Sequence, residues 1–286
     1  MPVTRLPWDA DPALHPFRSG AILGLATLLL AGCAGLPDTR KVAVEGRQVE
    51  FALAGTGSPV VVLETGLGAR KEWWAKVMPH VASTHTVLAY NRAGYGNSDS
   101  DGAPPDTPRD GDHVLVELRA LLRQLDLKPP YILVGHSLGG LYMQLYARRY
   151  PEETAALVLV DSTHPEQMRG VGAPEQWPAW LRAVFNVGSS PTAKAELAAV
   201  DATGAAVLAL PPPKGKPVIV LSAAKPLGEH SPLADDANAK RRDIVRLHPG
   251  ARQVWVDSGH AIPLERPDAI VDAIQQATVE LKRAAP

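Results

Sequence analysis

The sequence predicts an α/β fold: a mostly parallel sheet with helices packed on both faces. Three observations lead there. Short continuous apolar runs, such as Val60-Val61-Val62-Leu63 and Ala156-Leu157-Val158-Leu159-Val160, read as strands buried on both sides. Between such runs lie one-sided apolar stripes at helical spacing, the clearest being Val114, Leu118, Leu121, Leu122 and Leu125. Strands alternating with helices imply parallel pairing through crossover connections. Finally, the polar and glycine-rich clusters follow Leu63, Tyr90, Val134, Val160 and Val256. Those are the carboxyl ends of the expected strands, where open parallel sheets bind ligands.

Taken in order, residues 41–44 and 48–54 flank Glu45-Gly46-Arg47 and read as an antiparallel hairpin. Val60–Leu63 is the first buried strand. Trp73, Trp74, Val77 and Val81 have near-helical spacing, interrupted by Pro79. Thr86–Tyr90 is the next strand, and a polar Pro/Asp-rich loop runs on to Asp112. The Val114 stripe predicts a core-facing helix ending near Leu127. Tyr131–Val134 is a strand, and Leu141–Ala147 has helical character. Ala156–Val160, Pro217–Leu221 and Gln253–Val256 are further strands. A helix is expected from Asp236 to Leu247, and a last one with Ile270, Val271, Ile274, Thr278 and Leu281 on its inner face.

A chain of 286 residues with ordinary apolar content suits one sizeable domain. A net charge of −1 argues against a nucleic-acid partner. The single cysteine, Cys33, excludes an intrachain disulfide. The 27 prolines cluster near the N-terminus, at 104–108 and at 211–217, marking loops. No metal-ligand cluster and no repeat stand out.

The N-terminal region has its own logic. Ala21–Leu30 is an unbroken, mostly apolar run with the length of a signal-peptide core, too short to span a bilayer comfortably. Leu30-Ala31-Gly32-Cys33 follows at once and resembles the lipobox of bacterial lipoproteins. That resemblance implies removal of residues 1–32, acyl chains such as palmitate on Cys33, and a tether over 33–40. With Ala34 rather than aspartate after the cysteine, it implies the periplasmic face of the outer membrane in the bacterial cell envelope. Membrane attachment then comes from burial of the acyl chains, about 0.8 kcal/mol per CH₂. The segment before the apolar run is long and carries Asp9 and Asp11, which leaves room for a later start codon.

The chemistry centres on Gly135-His136-Ser137-Leu138-Gly139-Gly140. A G-x-S-x-G string is weak alone, but here a buried strand precedes it and a helix follows. In that setting the serine stands on a sharp turn, and Ser137 is the expected nucleophile. A serine hydroxyl needs a base, and His260, after the last strand, is the candidate. His136 reads as structural; His164 has the placement to line a pocket. The base needs a carboxylate to hold its tautomer. The strand ending at Leu221 is followed by no acid at the usual position, so Asp161, which directly ends the preceding strand, is favoured. Glu229, Asp235 and Asp236 remain alternatives, whereas Asp257 lies too near His260 in the chain. Two backbone amides must receive the developing oxyanion. Leu138, after the nucleophile, is one; Leu67, in the Gly66-Leu67-Gly68 turn, is the other.

With these residues in place the chain, from about Val42 to the C-terminus, resembles the α/β-hydrolase superfamily. The resemblance rests on Gly66-Leu67-Gly68, Asn91-Arg92-Ala93-Gly94-Tyr95-Gly96-Asn97-Ser98, Gly135–Gly140 and Gly259-His260. The Leu157–Gln167 segment is similar to one subgroup of bacterial esterase-like members. The resemblance implies a hydrolase domain over 41–286, with a helical cap inserted at about 165–213 before the seventh strand. It implies a serine hydrolase acting on esters of small or medium apolar groups, Trp177 and Trp180 lending the cap an apolar character. No metal or organic cofactor is called for, and a monomer or weak oligomer is expected. A proline-iminopeptidase-like aminopeptidase is the competing enzyme reading; it would need cap acids such as Glu166, Glu175 or Glu196 to hold a free amine. A non-catalytic, membrane-tethered binding protein is the competing reading outside enzymology.

Overall fold

The computed structural model describes Leu36 and residues 38–104, 107–225 and 231–284. The leader, Cys33 and Glu229 lie outside the described residues. Eight strands form one sheet: β1 (Thr39–Val44), β2 (Arg47–Ala54), β3 (Val60–Glu64), β4 (Val87–Tyr90), β5 (Tyr131–His136), β6 (Thr154–Val160), β7 (Val218–Ala223) and β8 (Arg252–Val256). Their spatial order is β1-β2-β4-β3-β5-β6-β7-β8. The β1–β2 hairpin pairs antiparallel, and β2 pairs antiparallel with β4; every other pairing is parallel.

Helices account for the rest: α1 (Met78–Ala82), α2 (Gly111–Gln124), α3 (Leu138–Arg149), α4 (Ala179–Gly188), α5 (Pro191–Ala198), α6 (Val200–Leu208), α7 (Pro232–Asp243), α8 (Ile262–Glu265) and α9 (Pro267–Ala284). Because side chains alternate along a strand, the sheet divides the interior in two. Val62, Leu133 and Leu157 point to one side, where α2 and α3 supply Leu118, Leu121 and Leu145. Val61, Leu63, Ile132, Val134 and Val158 point to the other, against Val77, Val81, Ile270 and Ile274. Each fully buried aliphatic side chain contributes about 2 kcal/mol through removal from water. No described helix is long and apolar enough to cross a membrane.

Several expected boundaries move for local reasons. The hairpin begins at Thr39, because Glu45 and Gly46, with φ of 48° and 82°, make a tight turn that lets both strands pair in full. Pro79 does not interrupt α1 but opens it, where no N–H is needed; the Trp73–Trp74 segment is instead a separate 3-10 turn, Lys71–Trp74. The helix expected from Asp236 starts at Pro232, since Ser231 caps it by accepting from the Ala234 N–H. It ends at Asp243, and the chain continues as a 3-10 turn, Ile244–Leu247. The insertion between β6 and β7 holds α4, α5 and α6, so the cap is helical.

Candidate active site

Ser137 sits between β5 and α3 with φ 52° and ψ −123°. A non-glycine residue there is strained, on the order of 1–3 kcal/mol, and must be held in place. The main chain does so: the Ser137 N–H donates to Val160 O at 3.1 Å, and Ser137 O accepts from Gly140 N and Thr163 N at 2.9 Å each. The flanking glycines are required by contact. A Cβ on Gly135 would lie 2.5 Å from Gly139 O, and one on Gly139 would lie 2.4 Å from Thr65 O. Ser137 itself is half-buried.

The loop after β8 carries His260 to the same end of the sheet. His136 lies beside it, the rings tilted by 40° with centroids 4.8 Å apart, and its Nε2 donates to the His260 carbonyl at 2.9 Å. Burial, then the neighbouring His260, lowers the His136 pKa to about 3. It is therefore neutral and holds the loop from beneath, a more specific task than filling space. His260 Nδ1 lies 2.7 Å from Asp161 Oδ2. With Nδ1 so engaged, Nε2 is the nitrogen left to serve as a base, and the imidazole side chain keeps 35% of its surface exposed. Among the described residues Ser137 Oγ forms no hydrogen bond and does not cap α3.

Asp161 ends β6 in a left-handed conformation, φ 40°, with its N–H on Leu221 O at 2.7 Å. The strand after it, β7, supplies no carboxylate but gives a donor: Ala223 N reaches Asp161 Oδ1 at 3.0 Å. Arg241 of α7 adds two more, Nε to Oδ1 at 2.7 Å and Nη2 to Oδ2 at 2.8 Å. Burial disfavours the Asp161 charge, but His260 and Arg241 outweigh it and hold the pKa at about 2. The alternative acids lie elsewhere. Asp236 pairs with Lys240 at 2.7 Å, Asp235 stands in the first turn of α7, and Asp257 faces solvent near Lys225. His164 is buried, accepting from Glu166 N at 3.1 Å and facing Asp243 at 3.4 Å.

The turn after β3 packs directly on the serine. A Cβ on Gly66 would come within 3.0 Å of Ser137 Cβ and 3.5 Å of its Oγ. The amides of Leu67 and Leu138 find no acceptor among the described residues. Behind the turn lies a buried ionic cluster. Arg92 pairs with Glu64 and, through two 2.8 Å bonds, with Glu196 of α5. Sequence reasoning treated the Arg92 segment as a family marker without assigning it a task, and it missed Arg241. No local pattern flags either, because their carboxylate partners are far away in the chain.

The fold and these glycine-bound turns can be compared with known proteins. The family profile described as the alpha/beta hydrolase fold matches residues 59–227, more than half of the chain. The chain belongs to the alpha/beta hydrolase fold family. Among relatives, it is 33% identical to uncharacterized protein YqjL of Bacillus subtilis over 107 residues, 37% of this chain and 41% of that one. This α/β hydrolase fold protein therefore spans less than half the length of that relative. It is 25% identical to the human (lyso)-N-acylphosphatidylethanolamine lipase over 250 residues, 75% of this chain and 71% of that one. The enol-lactonase structure from Burkholderia xenovorans LB400 superposes with a TM-score of 0.58 at 21% identity, covering 84% of this chain and all 100% of that one. At that identity the likeness speaks to the fold alone.

Proposed function

We propose that this chain is a serine hydrolase that cleaves carboxylic esters of small or medium apolar substrates. Family membership supports hydrolysis as the reaction class. The single observation that carries the finer reading is the 2.7 Å contact between His260 Nδ1 and Asp161 beside the strained Ser137 turn. Ser137 Oγ attacks the acyl carbon while His260 Nε2 takes its proton. The tetrahedral oxyanion is received by the N–H groups of Leu67 and Leu138, with the N-terminus of α3 behind the latter. The intermediate collapses as His260 gives the proton to the leaving alcohol, leaving an acyl group on Ser137. Water, deprotonated by His260, then releases the acid. The likeness to the human (lyso)-N-acylphosphatidylethanolamine lipase agrees with ester cleavage.

The cap argues against a free-amine substrate. Of the three acids an aminopeptidase would have to draw on, Glu196 is fully buried and spent on Arg92, while Glu166 faces Arg169 at 3.5 Å. Glu175 points to solvent. Trp177 packs against Phe185 and donates its Nε1 to Gly172 O, so it builds the cap; Trp180 remains 65% exposed.

The test has two arms. A fluorophosphonate probe is expected to label the wild type and not Ser137→Ala. A panel of p-nitrophenyl esters is expected to turn over where aminoacyl anilides do not. An unlabelled wild type would return the chain to the non-catalytic reading, and anilide turnover would favour the aminopeptidase.

A further inference from the structure

The cap does more than roof the site, because one of its side chains reaches the turn that holds Leu67. Arg92 lies between them, fully enclosed. On one side its Nε and Nη2 engage Glu196 Oε1 and Oε2 at 2.8 Å each. On the other, Nη1 donates to Thr65 O at 2.8 Å and Nη2 to Gly66 O at 3.0 Å. The far end of the turn is held as well: the Gly68 N–H donates to Tyr95 Oη at 3.2 Å, and Tyr95 Oη donates to Glu196 Oε2 at 2.8 Å. One carboxylate from α5 therefore anchors both ends of the Gly66-Leu67-Gly68 turn.

Peptide planarity gives this arrangement a consequence. The C=O of Gly66 and the N–H of Leu67 belong to one rigid trans unit and point in opposite directions. Holding the carbonyl on Arg92 turns the amide away from Arg92. The turn also packs on His136 and Ser137: a methyl group on Gly66 would stand 3.3 Å from His136 Nδ1 and 3.5 Å from Ser137 Oγ, and Gly66 O accepts a second bond from Ala69 N at 3.3 Å. Side-chain entropy does not blur the setting, since Glu196 and Glu64 are both 0% exposed and Arg92 only 2%. Arg109 lies 3.7 Å from Glu196 and adds a second positive charge to the two buried carboxylates.

We propose that Glu196, acting through Arg92 and Tyr95, is a positioning residue for the oxyanion-binding amide of Leu67, so that the cap and the catalytic turn are set as one unit. The inference rests on the serine hydrolase reading and adds a specific link between two parts of the chain. No step in the chemistry uses Glu196 itself. Its effect is on the amide that must meet charge only in the transition state.

The experiment compares wild type, Glu196→Gln, Arg92→Lys and Tyr95→Phe as full chains, with ester turnover normalised to the Ser137 sites titrated by a fluorophosphonate. Glu196→Gln and Arg92→Lys are each expected to lose roughly 10- to 100-fold in kcat per titrated site with KM changed less than about 3-fold, the pattern of an interaction made in the transition state. Affinity for an alkyl boronic acid, which forms a tetrahedral adduct on serine, is expected to weaken in step with kcat/KM. Tyr95→Phe removes one hydroxyl and tests the same link if the charged variants do not fold; a smaller loss of the same kind is expected. The inference is overturned if folded variants keep wild-type kcat per site, or if only the number of titratable sites falls, which marks a structural role. A wild type that neither labels nor turns over esters would instead overturn the underlying hydrolase reading.

Discussion

Arg241 and His260 share one carboxylate oxygen. Asp161 Oδ2 accepts from Arg241 Nη2 at 2.8 Å and from His260 Nδ1 at 2.7 Å, while Arg241 Nε closes the fork on Oδ1. The guanidinium side chain is 9% exposed and is steadied by Asn238, whose Oδ1 accepts from Nη1 at 2.9 Å. The fork fixes the Asp161 carboxylate, and through it the orientation of the His260 ring.

Arg241→Gln is accordingly expected to lower kcat by about 10-fold, because Asp161 would lose two of the bonds that fix it against His260 Nδ1. The other groups facing His260 are His136, which is neutral, and Glu265, which holds the Gly259 N–H. Neither changes in the variant. Steady-state kinetics on a p-nitrophenyl ester measure the loss, and an unchanged kcat would show that Arg241 does not fix the acid.

Asp161→Asn should lower kcat by roughly 10³- to 10⁴-fold, because the amide cannot stabilise the imidazolium and favours the wrong tautomer. Asp236→Asn, which weakens a partly buried pair with Lys240 that does not touch His260, should keep turnover within about 2-fold. Steady-state kinetics on the two purified variants decide the matter; the reverse ranking would transfer the acid's role to α7.

Stability should fall as the solution is acidified from neutral pH, and a buried histidine remote from the catalytic turn explains part of the slope. Burial, then Arg148, lowers the His248 pKa to about 3 from an ordinary 6.5. Between those values the unfolded chain binds a proton that the folded one refuses, so stability is lost as pH falls below 6.5. His248→Gln should flatten the dependence by about 1.4 kcal/mol per pH unit across that window. Urea melts of both proteins at pH 6, 5 and 4 measure it, and parallel slopes would count against a neutral His248.

Cys33 carries the expectation of a lipid anchor on sequence grounds alone. Cells expressing the full chain with a clickable fatty acid should yield a labelled, membrane-associated protein, and Cys33→Ala should be unlabelled and released. Equal labelling of the variant would remove the anchor from the account.

Much of this protein was legible in order along the chain. Short apolar runs bounded by turn residues read as strands shielded on both faces, and Gly135 and Gly139 around Ser137 mark a strand and helix too close for side chains. Fold class and the Ser137 turn follow from such local constraints, and the same reading offers His260 and Asp161 as candidates by their place after strands. Other features depended on which distant residues meet. Periodicity could rank Asp161 above Asp235 and Asp236 but not close the choice; three donors from β7, α7 and the last loop converge on it only in the folded chain. Arg241 carries no local signal, and Glu196 reads only as a cap acid that could hold a free amine. Both become buried partners because charge pairing is long-range in sequence and short-range in space, and only tertiary structure converts the one into the other.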